Sequence, residues 1–237
     1  NNFAIASSAV FRRAYRTQTN AGTKGGLKFA APATYNSQIQ ASMSINQVLS
    51  NGSGVYWEVR VDAGGAGNNS YSGVIGGQAS SNLTSETGPN TWPVAAVFNY
   101  LEGYLYVNTT GGNYSSIITY AEDDIIGFAI NSNGEFFMHK NGTYFNQLAA
   151  GAAQNPATRA NPLATLDLTN DYIPFTDGEP AAHYNFGQDS TFAGEVSAGG
   201  NADANGIGDF AYAPPSGFLA LCTANMSEPT IGPNSDT

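Results

Sequence analysis

The sequence predicts an all-β fold, a sandwich of two antiparallel sheets. Three observations carry that expectation. Short runs rich in Val, Ile, Tyr, Phe and Trp alternate with Gly, Asn and Ser clusters, the spacing of a sandwich or barrel. Helical periodicity is weak along the whole chain. Of 237 residues, 41% are apolar and 12% aromatic but only 11% charged, which is too apolar for a disordered chain. The length suits one large β domain.

The clearest strand is Val55-Tyr56-Trp57-Glu58-Val59-Arg60-Val61. Val55, Trp57, Val59 and Val61 share one face, and Tyr56, Glu58 and Arg60 the other. Asn51-Gly52-Ser53-Gly54 is the turn before it. Gly73 to Gly77 reads as a short buried strand, its glycines permitting close backbone approach. Val94 to Val107 holds two apolar stretches around Glu102-Gly103, a hairpin. Ile125 to Ile130 is a strand, and Asn131-Ser132-Asn133-Gly134 turns the chain into Glu135 to Lys140. Asn141-Gly142 is a second tight turn, since both residues tolerate positive φ. Residues 146–166 read as a long surface loop, and 172–175 and 183–187 as further strands. Residues 188–209 form a polar Gly/Asn/Asp loop, Phe218 to Cys222 closes the core, and 226–237 reads as a linker. Trp57, Phe128, Phe186 and Phe218 are expected in the core, with two stacked layers burying the Trp57 strand against the Phe128 strand. Cys222 is expected as a buried thiol, and His139, beside Lys140, as exposed.

Several function classes are disfavoured by composition. A net charge of −10 opposes nucleic-acid binding, because phosphate repels it. No run approaches the roughly 18 apolar residues of a membrane span. One cysteine excludes an internal disulfide framework and a multi-Cys zinc site. The two distant histidines, His139 and His183, leave few acid–base options. Residues 1–10 lack the basic and long apolar regions of an intact signal peptide.

Charge is partitioned along the chain. Arg12, Arg13, Arg16, Lys24 and Lys28 precede the first acidic residue, Glu58, and no Lys or Arg follows Arg159. Residues 1–34 therefore read as a basic arm ahead of a sandwich spanning 35–225. The arm is either a solvated tail or a device that docks on an acidic surface. In the docking reading Arg12, Arg13, Tyr15 and Arg16 are the contact residues, Arg and Tyr being enriched at interfaces.

The order of four motifs resembles a SPRY domain, a concanavalin-like β-sandwich (jelly roll). They are Gly54-Val55-Tyr56-Trp57-Glu58-Val59, Asp124 to Ile130, Gly134-Glu135-Phe136-Phe137 with Lys140-Asn141-Gly142, and Asn185-Phe186-Gly187. The ending, with Asn185 to Gln188, Phe192-Ala193-Gly194, Asn201 to Phe210 and Ala213 to Cys222 followed by Asn225-Met226-Ser227-Glu228-Pro229, resembles SPRY-like modules of tailed-phage virion proteins. That resemblance implies a non-enzymatic structural or attachment module of an appendage, fibre or capsid decoration, located in the virion. It implies other virion proteins as partners of the basic arm and host-surface glycan as a further one. It also implies a homo-oligomer, a trimer by analogy with fibres. A secreted lectin-like protein is the alternative, and a glycan hydrolase a more distant one.

Two surface sites are candidates. Asn201, Asp203, Asn205, Ile207 (through its carbonyl) and Asp209 occupy positions 1, 3, 5, 7 and 9 of an EF-hand-type loop, with Gly206 at the sharp turn. Tyr212 replaces the usual bidentate Glu, so the reading is weak Ca2+ binding, assisted by Asp189 or Glu195, or a plain Asx-turn loop. No cofactor is required. Asn68, Asn69, Tyr71, Asn90, Trp92, Asn113 and Tyr114 are candidates for glycan binding, with aromatic faces for sugar rings and amides for hydroxyls; the favoured reading of the same aromatics is a subunit interface or a cap on the core. No catalytic residue is assigned. Glu58 and Asp62 share a strand face but stand roughly 13 Å apart by strand rise, too far for retaining glycosidase chemistry. No G-x-S-x-G motif occurs.

Overall fold

The structure, a computed structural model, describes residues 2–7, 27–29, 37–62, 71–76, 94–99, 103–108, 110–113, 120–147, 151–178 and 182–227. Its early strands are β1 (Ala6–Ser7), β2 (Lys28–Phe29), β3 (Ser37–Ala41), β4 (Gly54–Val61), β5 (Tyr71–Gly76), β6 (Ala95–Asn99), β7 (Tyr104–Val107) and β8 (Thr110–Asn113). After them come β9 (Ile125–Ile130), β10 (Glu135–Lys140), β11 (Thr143–Tyr144), β12 (Asn146–Gln147), β13 (Ala152–Ala153) and β14 (Ala164–Thr165). The last are β15 (Tyr172–Gly178), β16 (Ala182–Asn185) and β17 (Phe218–Ala220). One short helix, α1 (Asn46–Leu49), precedes β4 and buries Val48 and Leu49.

The strands form two principal sheets, as the sequence predicts. The first runs β1-β3-β15-β5-β6-β7-β8 and the second β11-β10-β9-β4-β16-β2, with β14 also on β10 and β17 on β4. The hairpin expected around Gly103 is present as β6–β7, in register Ala96 to Val107. Residues 146–166, read as a loop, contain the small β12–β13 pair and β14. Pro174 sits inside β15, where a missing N–H would break a ladder; pairing with β3 begins only at Phe175, one residue later.

The core lies between the two sheets. Val74, Ala96, Phe98, Leu105 and Tyr172 of the first meet Val55, Trp57, Val59, Ile126, Phe128, Phe136 and Met138 of the second in one apolar cluster. Thr176 links the layers by hydrogen bonding both Ser72 and, across the core, Tyr184. Trp57, Phe128, Phe186 and Phe218 are all buried, as is Cys222. The Trp57 and Phe128 strands are not in opposing layers, however. They are neighbours in one sheet, with Trp57 directly opposite Phe128 and the rings stacked at 5.1 Å and 9°. Alternation places both side chains on the inner face at the same level, so the aromatic contact runs along the sheet.

Residues 1–34, read as an arm, contribute to both sheets. Phe3 pairs with Cys222, the Ala4 N–H donates to the Leu221 carbonyl, and Ala4 is wholly buried. β1 pairs with β3, and β2 pairs with β16. β1 and β2 are thus edge strands of different sheets, and the chain between them, which carries Arg12, Arg13, Tyr15, Arg16 and Lys24, lies outside the described residues.

Trp57 fixes the inner layer, so Trp57→Ala is expected to destabilise the protein by about 3–5 kcal/mol, read from chemical denaturation midpoints. A loss below about 1 kcal/mol would show that the ring is not a core element.

Candidate functional site

All eight residues of β4 are buried, Glu58 and Arg60 included. β9 occupies one edge of this strand from Val55 to Arg60. β16 holds the other edge from Glu58 to Val61, and β17 returns parallel to fill that same edge from Gly54 to Tyr56. Between β16 and β17 the chain makes a long excursion, residues 186–217, and lays it over the outer face of the second sheet. Phe210 and Phe218 pack there on Tyr56, Ala129 and Phe137 in a second apolar layer. What reads as a polar loop is a structured cover.

A buried polar cluster joins cover to sheet. Glu58 accepts four hydrogen bonds: from the Ala211 N–H (3.0 Å), the Tyr212 N–H (2.8 Å), the Tyr56 hydroxyl (3.0 Å) and the Asn185 amide (3.1 Å). The Tyr56 hydroxyl lies 2.7 Å from His139 Nε2. The Gly142 N–H donates to His139 Nδ1, so the neutral ring carries its proton on Nε2 and donates to Tyr56, which donates onward to Glu58. His139 is 2% exposed, not exposed as its neighbour Lys140 implies. Gly127 stands opposite His139 on β9, and a Cβ there would collide with His139 Nε2. Burial lifts the Glu58 carboxyl to about 7, with the four donors pulling the other way. Burial also pushes the His139 imidazole down to about 3.

A charged cluster lies further along the same face. Arg60 bonds to Asp62, Asp123 and Glu195. Lys28 of β2 bonds to Glu195 and stands 3.4 Å from Asp62. Lys28, His183 and Arg60 face one another across β2, β16 and β4. Burial raises the Asp62 carboxyl despite Arg60 and Lys28. Glu195, which burial alone would raise, is held below its usual value by Lys28 and Arg60. Burial lowers His183 to about 4. Lys28, counted with the basic arm, is thereby a structural cation tying the return of that segment to the cover.

The motif residues near the end of the chain are fasteners of the cover. Asn185 donates to Glu58 and to the Asp209 carbonyl and accepts from the Gly187 and Asp189 N–H groups. Gly187 has φ +112, and a Cβ would meet Phe3 at 2.8 Å. Gln188 accepts from the Phe186 N–H and donates to the Ala4 carbonyl. The loop read as a calcium site has the same character. Asp203, 7% exposed, accepts from the Asn205 and Ile207 N–H groups on Oδ1 and from the Ala220 N–H and Asn225 amide on Oδ2. The Ile207 carbonyl accepts from the Asp203 N–H, and the Asn201 amide donates to the Phe210 and Ala211 carbonyls. The Asn205 amide donates to Asn225, and Asp209 accepts from the Ser190 N–H. This is the bonding of an Asx turn, the other reading of that loop. Among the described residues no group of three or more His, Cys, Asp or Glu could hold a metal ion.

Of the glycan candidates, Asn68, Asn69, Asn90, Trp92 and Tyr114 lie outside the described residues. Tyr71 is 7% exposed and packs edge-on against Tyr106. Asn113 ends β8, and register aligns Tyr71, Asn99, Tyr104 and Asn113 in one row across four strands. That puts the Tyr71 and Asn113 backbones about 14 Å apart.

No family model matches this sequence, and no curated protein matches it. Among solved structures, the SPRY domain of human HERC1 is similar at 11% identity, covering 70% of this chain and 92% of that one, with a TM-score of 0.48. The sandwich architecture is read from the strand pairing of the chain itself.

The cluster gives opposed pH dependences. Below about 6.5 and down to their folded values of about 3 and about 4, His139 and His183 bind protons only when unfolded, so their contribution falls as acid is added. Glu58, lifted to about 7, binds its proton in the fold, and its contribution is lost as pH rises through about 7. Stability of Glu58→Gln is therefore expected to fall more steeply than wild type from about pH 6.5 to about pH 4.5, measured by urea denaturation. Equal slopes would show that Glu58 stays ionised in the fold.

Proposed function

We propose that the chain is a non-enzymatic attachment module of a phage particle, joined to another virion protein through the basic segment between β1 and β2. One observation carries the reading: Arg12, Arg13, Arg16 and Lys24 lie in a stretch tethered at both ends to edge strands of an otherwise acidic sandwich. Such a segment meets an acidic partner with little loss of chain freedom, because both of its ends are already fixed. The ending of the sequence, from Asn185 to Pro229, supports the virion setting by its resemblance to phage modules. The non-enzymatic reading is supported by Glu58, whose hydrogen bonds hold the cover in place, and by His139, which among the described residues bonds only Tyr56 and the Gly142 N–H; they expose 0% and 2% of their surface. Burial of Tyr71 favours a cap on the core over sugar stacking as its role.

Deleting residues 1–30 would remove β1, β2 and the buried Ala4, so charge reversal is the cleaner test. The triple variant Arg12→Glu, Arg13→Glu, Arg16→Glu is expected to keep the wild-type circular dichroism and melting temperature while its incorporation into particles falls at least tenfold. Wild-type incorporation of the folded variant would overturn the docking role, and release of reducing ends from host polysaccharide would overturn the non-enzymatic one.

A further inference from the structure

The two main sheets present edge strands at β1, at β8, at β2 and at β11 with β14, and these edges are not equivalent. β1, β2 and β11 are two residues long, and β2 carries Lys28. Short length and a charged residue are devices that stop a sheet edge from recruiting further strands. β8 is four residues, Thr110-Gly111-Gly112-Asn113, with no charge and no proline. Among the described residues no strand lies beyond it.

Hairpin geometry shows what this edge offers. Val107 pairs with Thr110 across a two-residue connection, Asn108-Thr109, with Asn108 at φ +46. The pair closing such a connection exchanges both of its hydrogen bonds, and so does Leu105 with Gly112, two positions on. The alternate residues, Gly111 and Asn113, therefore direct N–H and C=O groups away from β7. Gly111 also leaves bare backbone opposite Tyr106, on a face where Tyr106 stacks with Tyr104 at 5.9 Å. Glycine in a strand marks a place where another backbone can approach closely.

Charge selects the occupant. Two copies of this chain, each carrying −10, repel unless they meet through uncharged surface. From Gly103 to Ala121 the sequence has no charged residue. We infer that β8 pairs antiparallel with β8 of a second copy about a two-fold axis, joining the two first sheets into one. An isologous pairing of this kind closes as a dimer, whereas the phage resemblance implies a trimer. A four-residue strand contact is at the small end of specific interfaces, so the pairing is concentration-dependent. It is independent of partner docking: a monomeric protein that still enters particles would sink the pairing and leave the proposed function standing.

The test is sedimentation equilibrium of the full chain from about 1 µM to about 1 mM, with Gly111→Pro and Thr110→Lys beside wild type. Proline at Gly111 removes one outward donor and leaves the β7 ladder in place; lysine at the exposed Thr110 brings like charges together across the axis. Wild type is expected to form a dimer, and each folded variant to weaken it at least tenfold. Amide exchange on wild type needs no variant: Gly111 and Asn113 are expected to exchange more slowly as concentration rises, while Gly112 is unchanged. A monomer at all concentrations, a trimer, a dimer unaffected by a folded variant, or concentration-independent exchange at Gly111 and Asn113 would each overturn the pairing.

Discussion

A strand buried on both faces needs a layer above it and a layer below, and β4 is such a strand from Gly54 to Val61. The other sheet supplies the layer below. The layer above comes from residues 186–217, which run between β16 and β17, both paired to β4's edge. Glu58 ties these parts together, since it stands on β4 and accepts the Ala211 and Tyr212 N–H groups of the cover. An unpaired carboxylate at that depth would be expensive; with four donors it becomes the peg on which an otherwise irregular segment hangs. Arg60 and Lys28 repeat the arrangement further along, binding the cover through Glu195.

Much of the inner architecture was legible. Alternation in 55–61, the turn residues between 131 and 142, and the apolar runs at 125–130 and 218–222 all become strands or turns where the periodicity places them. The outer layer was harder to read because its segment has no period: Gly, Asn, Asp and Ser dominate 188–209 and resemble solvated loop. A signal was nevertheless present. Phe136, Phe137 and Met138 are consecutive and apolar, and a strand with apolar residues on both faces has both faces covered. The placement of Trp57 and Phe128 shows a different limit. Matching inward faces say that two strands share a core, but they do not say whether the strands lie side by side or face to face.

The site residues divide along similar lines. Short polar side chains in an Asn/Asp/Gly loop serve equally well as cation ligands and as acceptors for turn amides, and local spacing is the same for both. Asp203 draws half of its donors from far away in sequence, Ala220 and Asn225, which fall on its second oxygen. His139 likewise sits next to a lysine yet is buried beneath the cover, where Gly127 on the neighbouring strand leaves room for its ring. In both cases the partners of the side chain are tertiary neighbours that local spacing does not display.

The bridge between Phe3 and Cys222, with the Thr223 N–H donating to the Asn2 carbonyl, brings the two ends of the folded body side by side. A body with adjoining entry and exit points can be spliced into a surface turn of an unrelated polypeptide, since the host has only a short gap to bridge and its own layers stay undisturbed. The same neighbouring ends let copies be strung in tandem like beads, each hanging to one side of the thread.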